Sequence, residues 1–219
     1  MATTPPTGIP RSLFIFTVIY GGMVCLAGVL GAKQVALGPL AVEAGIFPFL
    51  LLVVLGSTVA ELHGTETANR LVRFGFIPLV TAIALIWLVI QLPTDEGMYE
   101  PAKEAFPIIL GQSWRLMAAG IVAYGVSQFL NVFIFARLQG TGRETGLWLA
   151  ARAAIASAIS QIVDTLIFIT VSFYGVRPIG DLILGQALAK VVLSVVLVPL
   201  LITLLVTLGR RLDARPAQD

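Results

Sequence analysis

The chain has 219 residues, of which 58% are hydrophobic and only 12% are charged, and its mean hydropathy of +0.95 excludes an ordinary soluble domain. The net charge of +2 is small, and no basic stripe of the kind that binds nucleic acid is present. Apolar runs of about 20 residues have the length that a helix needs to cross a hydrocarbon core of about 30 Å. The composition therefore predicts an integral membrane protein built of helices.

The hydrophobic segments predict six transmembrane helices in one bundle, an all-α fold. In chain order they cover residues 12–32, 39–62, 76–92, 108–136, 147–173 and 182–208. The polar, Pro-rich start of the chain is followed by an apolar run without a cleavage signature, so the first helix is expected to be retained. We expect residues 1–219 to form a single six-helix membrane domain.

The distribution of Lys and Arg predicts the orientation of the bundle, because basic loops stay on the cytoplasmic side. With both termini in the cytoplasm, the outer loops hold only Lys33, Lys103 and Arg177. The cytoplasmic segments then hold Arg11, Arg70, Arg73, Arg137, Arg143, Arg210, Arg211 and Arg215. We therefore expect a multi-pass membrane protein with both termini in the cytoplasm.

Several charged residues lie within the apolar runs, where each costs about 2.5–3.5 kcal/mol on insertion scales. The helix directions put Asp164 and Lys190 each roughly 6–7 Å to the outer side of the membrane midplane, at about 1.5 Å per residue. An ion pair between them, direct or through a ligand, is therefore geometrically possible. Arg115 is expected on the same side. A second polar layer is expected on the inner side, and it comprises Glu61, Asn131, Arg152 and Ser157.

One phrase occurs twice, as "SQFLNVFIF" at 127–135 and as "SQIVDTLIF" at 160–168. In each copy the Gln and the following Asn or Asp are three residues apart and share a helix face. Because the two helices run in opposite directions, Gln128 and Gln161 are expected to meet near mid-depth, while Asn131 and Asp164 diverge, as in transporters with inverted repeats. Interhelical hydrogen bonding remains an alternative role for the Ser residues.

Four segments, in order and spacing, resemble the queuosine precursor transporter family, also called the vitamin uptake transporter family, from about Phe47 to Pro199. They are "AELHGTETANRLVRFGF", Arg115 with "AYGVSQFLNVFIFARL", "LWLAARAAIASAISQIVDTLIFITVSFYG" and "GQALAKVVLSVVLVP". The chain departs from the family's usual pattern at Ser57 and Asn131, where the family usually has Asp.

The resemblance implies a multi-pass transporter of the bacterial inner membrane that imports a queuosine precursor, 7-cyano-7-deazaguanine or a related 7-deazaguanine, for tRNA modification. The substrate-binding residues that it suggests are Asp164, Gln161, Gln128, Lys190, Arg115 and Asn131. A guanine-like edge has two N–H donors beside a carbonyl, so Asp164 can accept both donors while Gln161 or Gln128 donates to the carbonyl. Four aromatic rings are candidates for stacking on the heterocycle: Phe129, Phe133, Phe168 and Trp114.

The chain has no phosphate-binding loop of its own and cannot hydrolyse ATP, so two modes of transport remain open. It either works as a stand-alone carrier or is a substrate-binding membrane subunit that docks on a separate ATPase module, and a homo-oligomer also stays open. An enzyme is not expected, because a lone His63 and one Cys25 offer no metal cluster or catalytic triad. No cofactor is expected, and His63 is predicted to be a loop residue.

Overall fold

The structure is a computed structural model that describes residues 8–38, 40–111, 114–139, 146–176 and 178–214. The predictions that concern Arg143, Arg177, Arg215 and the side chain of Trp114 lie outside the described residues. The elements in chain order are α1 (Arg11–Leu30), β1 (Gln34–Leu37), β2 (Leu40–Glu43), α2 (Ile46–His63), α3 (Thr65–Gln91), α4 (Glu100–Leu110), α5 (Trp114–Arg137), α6 (Gly146–Phe173) and α7 (Gly180–Ala214).

Six of these helices are long and apolar enough to span a membrane, as the sequence predicted. The 20 residues of α1 give a length of about 30 Å, which matches the hydrocarbon core. α7 has 35 residues and exceeds that thickness, so it must tilt or project beyond the core. Of the long helices, α3 is the most peripheral, and it exposes large apolar side chains such as Phe74 and Ile77 that suit contact with lipid.

The second predicted span starts too early, because residues Leu40–Glu43 form a strand and α2 begins only at Ile46. β2 pairs with β1 in an antiparallel hairpin, with Leu37 opposite Leu40. Gly38 has φ +61°, a conformation that favours glycine and suits a two-residue hairpin loop. A short apolar run does not distinguish strand from helix by hydropathy alone, so the hairpin was missed.

Two further boundaries differ from the prediction. α3 begins at Thr65, directly after Gly64, whose φ of +86° allows the chain to reverse in a single residue. The predicted span 108–136 is divided into the short helix α4 and the spanning helix α5. α4 has Pro101 in its first turn, where proline is tolerated, and no buried residues.

α2 lies at the centre of the bundle, and its residues Leu52 to Leu55 are fully buried. It contacts α1, α3, α5, α6 and α7. The small-residue stretch of α6 packs inside the bundle, because Ala153 and Ala156 are fully buried and Ser157 Oγ donates to Ser194 Oγ of α7 at 3.0 Å. Small residues let helix backbones approach closely, so this stretch is used for packing between α6 and α7.

The start of α1 and the end of α7 meet at one end of the bundle, which we call the terminal end. The Ser12 backbone N–H donates to Asp213 Oδ1 at 2.9 Å, and Ser12 Oγ donates to Oδ2 at 2.7 Å. His63 Nε2 lies 2.7 Å from the same hydroxyl. His63 is thus the last residue of α2 rather than a loop residue, and it helps to join α1, α2 and α7. The opposite end carries the β1–β2 hairpin and is called the hairpin end.

A candidate ligand-binding cavity

A partly open cavity of about 190 Å³ lies toward the hairpin end of the bundle. Its walls come from α1, α2, α3, α5, α6, α7 and β2, and most of the lining residues are apolar or glycine. The charged lining residues are Glu43, Asp164 and Lys190, and Tyr124 adds a hydroxyl-bearing ring. An apolar cavity with a few convergent polar groups is the usual form of a small-molecule site.

Asp164 and Lys190 form an ion pair at this cavity, with Lys190 Nζ 2.8 Å from Asp164 Oδ2. The side chains are only 8% and 12% exposed. Ser127 Oγ donates to the other carboxylate oxygen, Oδ1, at 3.3 Å. The ion pair, which the matching depths made geometrically possible, is present and links α6 to α7, and the Ser127 hydrogen bond adds α5.

Two phenylalanine rings line the cavity that contains the ion pair. The ammonium of Lys190 lies 5.9 Å from the centroid of the Phe49 ring, within the range of a cation–π contact. Phe168 also lines the cavity. Phe133, another predicted stacking residue, is 63% exposed on the outer face of α5, and Phe129 packs against the hydrophobic core without lining the cavity. Of the predicted rings with a described side chain, only Phe168 is therefore in position to contact a ligand here.

Glu43 is a cavity residue that the sequence analysis did not single out. It is the last residue of β2 and lines the cavity, and Gln186 Nε2 of α7 donates to its Oε1 at 3.4 Å. The sequence feature that could have identified Glu43 is its position as an acidic residue within the apolar run from Leu37 to Leu55. A helix predicted to begin at residue 39 gives no reason to place Glu43 beside α7, because only the β1–β2 hairpin brings it there.

Gln128 and Gln161 are fully buried but do not line the cavity. Neither side-chain amide has a hydrogen-bond partner among the described residues. Gln128 faces α2, because a Cβ added at Gly56 would lie 3.9 Å from Gln128 Oε1. The structure thus joins Asp164 to Lys190 at the cavity, whereas the two amides that were expected beside Asp164 lie outside its walls.

Asn131 lies on the terminal side of Gln128 and contacts α2. Its Nδ2 donates to the Val53 carbonyl oxygen and to Ser57 Oγ, each at 3.1 Å. Ser57 and Asn131 both stand where the family described above usually has Asp, and they are in direct contact. A neutral hydrogen bond therefore occupies this interface of α2 and α5.

Arg115, at the start of α5, holds the end of α6. Its Nη2 donates to the Tyr174 carbonyl oxygen at 2.7 Å, and its Nε donates to the Val171 carbonyl oxygen. The last carbonyls of a helix lack intrahelical partners, and a cationic donor suits them. Arg115 does not line the cavity, although its neighbours Leu116 and Met117 do.

Two of the four residues predicted to form the inner polar layer come together in the structure. Glu61 on α2 pairs with Arg152 on α6, and Arg210 Nη2 of α7 lies 3.8 Å from the second carboxylate oxygen. The Arg152 guanidinium is buried and lies 4.1 Å from the centroid of the Phe135 ring. Ser157, placed in the same layer, instead joins α6 to α7 through Ser194. Among the described residues, no group of three His, Cys, Asp or Glu side chains is arranged to hold a metal ion.

Comparison with known proteins gives two matches. The model of the family described as "Putative vitamin uptake transporter" matches residues 43–204. A Bacillus subtilis (strain 168) protein named "Probable queuosine precursor transporter" is 29% identical over 124 residues, which cover 54% of this chain and 50% of that protein. The matched part thus spans about half the length of this curated relative. No solved structure matches the chain.

Proposed function

The chain belongs to the vitamin uptake transporter family, and we propose that it imports a 7-deazaguanine precursor of queuosine. The six spanning helices make it a multi-pass membrane protein. The name of the Bacillus relative supports the substrate class. The structural observation that carries the proposal is the Asp164–Lys190 ion pair at the wall of a cavity that Phe49 and Phe168 also line.

Recognition would use the complementary groups of the ion pair. The edge of a 7-deazaguanine presents two N–H donors beside a carbonyl, and a carboxylate can accept both donors. Asp164 supplies that carboxylate in the proposed complex. Lys190, whose ammonium has three N–H donors, donates a hydrogen bond to the ligand's carbonyl oxygen. The sequence analysis gave this role to Gln161 or Gln128. The ligand would then replace the direct contact between Asp164 and Lys190 with bridged contacts.

The flat heterocycle would be held by aromatic rings. Phe168 precedes the end of α6 by about one turn and lies one turn beyond Asp164, on the same face of the helix. Phe49 lies beside Lys190 on the α2 side of the cavity. Stacking on such rings is worth about 1–3 kcal/mol per base in proteins that bind nucleic-acid bases. A purine-like ligand is thus favoured over a flexible polar one.

The proposed direction is import. The start of α1 and the end of α7 lie at one end of the bundle, and eight Lys and Arg residues against three favour that end in the cytoplasm of a bacterial cell. The cavity lies toward the other end and would then open to the outside of the inner membrane. This conformation is the one expected to capture substrate before it is released inward.

We further propose that the chain acts as a carrier without an ATPase partner and that it catalyses no reaction. The small-residue stretch of α6 that contains Ala153, Ala156 and Ser157 packs against α7 inside the bundle and is not free to dock a partner helix. The alternative, a binding subunit of an energy-coupled importer, makes the opposite prediction when the chain is isolated. It should bind substrate but not move it.

The experiment is uptake into liposomes that contain only this purified protein. Labelled 7-cyano-7-deazaguanine should enter, with competition by the aminomethyl analogue and not by adenine, whose edge lacks the paired donors next to a carbonyl. Expression of the chain in a precursor auxotroph should restore queuosine in tRNA. Binding without flux would favour the energy-coupled alternative, and the absence of both binding and flux would refute the proposed substrate.

A further inference from the structure

Buried polar side chains continue beyond the cavity toward the terminal end of the bundle. Gln161 lies one turn of α6 from Asp164 in that direction, and Gln128 and Asn131 follow on α5. All three are fully buried. Both Gln amides and Asn131 Oδ1 have no hydrogen-bond partner among the described residues.

Such groups need an explanation, because buried polar atoms in folded proteins are nearly always hydrogen-bonded. Leaving an amide without a partner in an apolar environment costs several kcal/mol on transfer scales, about 2–7. The buried amides of Gln128 and Gln161 would gain hydrogen-bond partners if water or a polar ligand in transit reached them in another conformation of the protein. They lie between the cavity and the terminal end, which makes this region the natural continuation of a transport path.

The path is closed at its far end by the Glu61–Arg152 ion pair. Arg152 extends from α6 to α2 and lies over Phe135 of α5, and Arg210 approaches Glu61 from α7. One pair of side chains therefore brings together four helices at the terminal end. Replacing the pair by apolar residues would hold helices together as well or better, because burying charges costs desolvation energy. A charged closure has a different advantage, since water can replace its partners when the helices separate.

We propose that the Glu61–Arg152 ion pair is the gate through which substrate leaves the protein at the terminal end. The proposal rests on the transport function proposed above. A transporter that exposes its site to each side in turn must be closed at one end while the other is open. Here the cavity lies toward the hairpin end, and the Glu61–Arg152 pair lies on the terminal side of it.

The gate can be tested by the accessibility of a cysteine behind it. Ser57 is fully buried and lies one turn of α2 from Glu61, on the cavity side. Ser57→Cys is introduced together with Cys25→Ala, and a membrane-impermeant thiol reagent is applied separately to each face of sealed vesicles. Adding Glu61→Ala should raise the labelling rate from the terminal side by about tenfold or more, since it shifts the population toward the open state.

The matched control is Glu66→Ala. Glu66 forms an exposed ion pair with Arg70 at the same end of the bundle, so its removal should leave labelling unchanged. The exchange of charges in the double variant Glu61→Arg with Arg152→Glu should restore slow labelling. If Glu61→Ala does not accumulate in the membrane, Glu61→Gln takes its place with the same expectation. Labelling no faster than in the control would overturn the gate.

Binding measurements separate this inference from the proposed function. The purified Glu61→Ala variant should bind 7-cyano-7-deazaguanine within about twofold of the unaltered chain, because the cavity residues are unchanged, whereas its uptake should be lost. Loss of binding as severe as in Asp164→Asn would place Glu61 in the binding site and overturn the gate. If no variant binds this ligand, the proposed substrate is wrong, and the labelling rates still decide whether the pair is a gate.

Discussion

Asp164 on α6 and Lys190 on α7 are 26 residues apart in the chain, and their charged atoms are 2.8 Å apart in the structure. The pair lies at the wall of a cavity that Phe49 and Phe168 also line. Ser127 of α5 donates to Asp164 Oδ1, the carboxylate oxygen that Lys190 does not contact. Neither charge is isolated in the apolar bundle, so both can be retained there at a tolerable cost. In the proposed complex, a polar ligand that matches both groups binds by entering between them.

Asp164→Asn should weaken binding of 7-cyano-7-deazaguanine by about 10- to 100-fold, because an amide accepts fewer of the ligand's N–H donors and one charge-assisted bond is worth about 1.5–3 kcal/mol. Isothermal titration of the purified protein measures the change. Asp181→Asn is the control, since Asp181 is exposed in the first turn of α7 and outside the cavity. Equal affinities of the two variants would exclude Asp164 from the site.

Phe168→Ala should lower the affinity for the same ligand by about tenfold or more, because one stacked ring contributes about 1–3 kcal/mol. Phe133→Ala offers a matched control of the same chemistry. The Phe133 ring is exposed on the outside of the bundle, where it suits contact with lipid. A binding assay in detergent should therefore show a loss for Phe168→Ala alone, and equal losses would mean that the ring does not contact the ligand.

Arg115→Ala should lower the thermal stability and leave the KM for uptake unchanged. The guanidinium holds the carbonyl groups of Val171 and Tyr174 at the end of α6, and each such bond contributes about 1 kcal/mol. The loss should reduce Tm in detergent by a few degrees. Lys103→Ala, which removes a cation of the α4 segment at the same end, serves as the control. A raised KM at unchanged Tm would instead return Arg115 to the ligand site.

Gly75→Ala should destabilise the bundle by about 1–3 kcal/mol through overpacking. A Cβ at this position would lie 2.1 Å from Tyr124 Oη and 2.8 Å from Tyr20 Cε1. The Tyr124 hydroxyl cannot easily move, because it donates to the Val72 carbonyl oxygen at 3.2 Å and lies 3.1 Å from the Tyr20 hydroxyl.

Gly22→Ala is the control for that variant, since nothing lies within 4 Å of its added Cβ. Thermal unfolding monitored by size-exclusion chromatography should show a lower Tm for Gly75→Ala only. A Tm equal to that of the control would mean that α3 can move away from α5 at little cost.

The sequence by itself determined the features that depend on hydropathy and on position along a helix. Six apolar segments of spanning length can satisfy their backbone groups in lipid only as helices, and the described residues form six helices that are long and apolar enough to span a membrane. The fixed rise per residue gave similar depths for Asp164 and Lys190, which made a contact between them possible, and the structure contains that contact. The same reasoning assigned Glu61 and Arg152 to one layer, and they are paired.

Only the tertiary structure decided which way each side chain faces and where the apolar runs bend. The rotation of a helix about its axis is set by packing against its neighbours, and hydropathy carries little information about it in a bundle with an apolar exterior. For that reason Gln128 and Gln161 lie outside the cavity, while Arg115 holds the end of α6. The hairpin that brings Glu43 to the cavity depends on strand pairing between two short segments, which no helical periodicity could indicate.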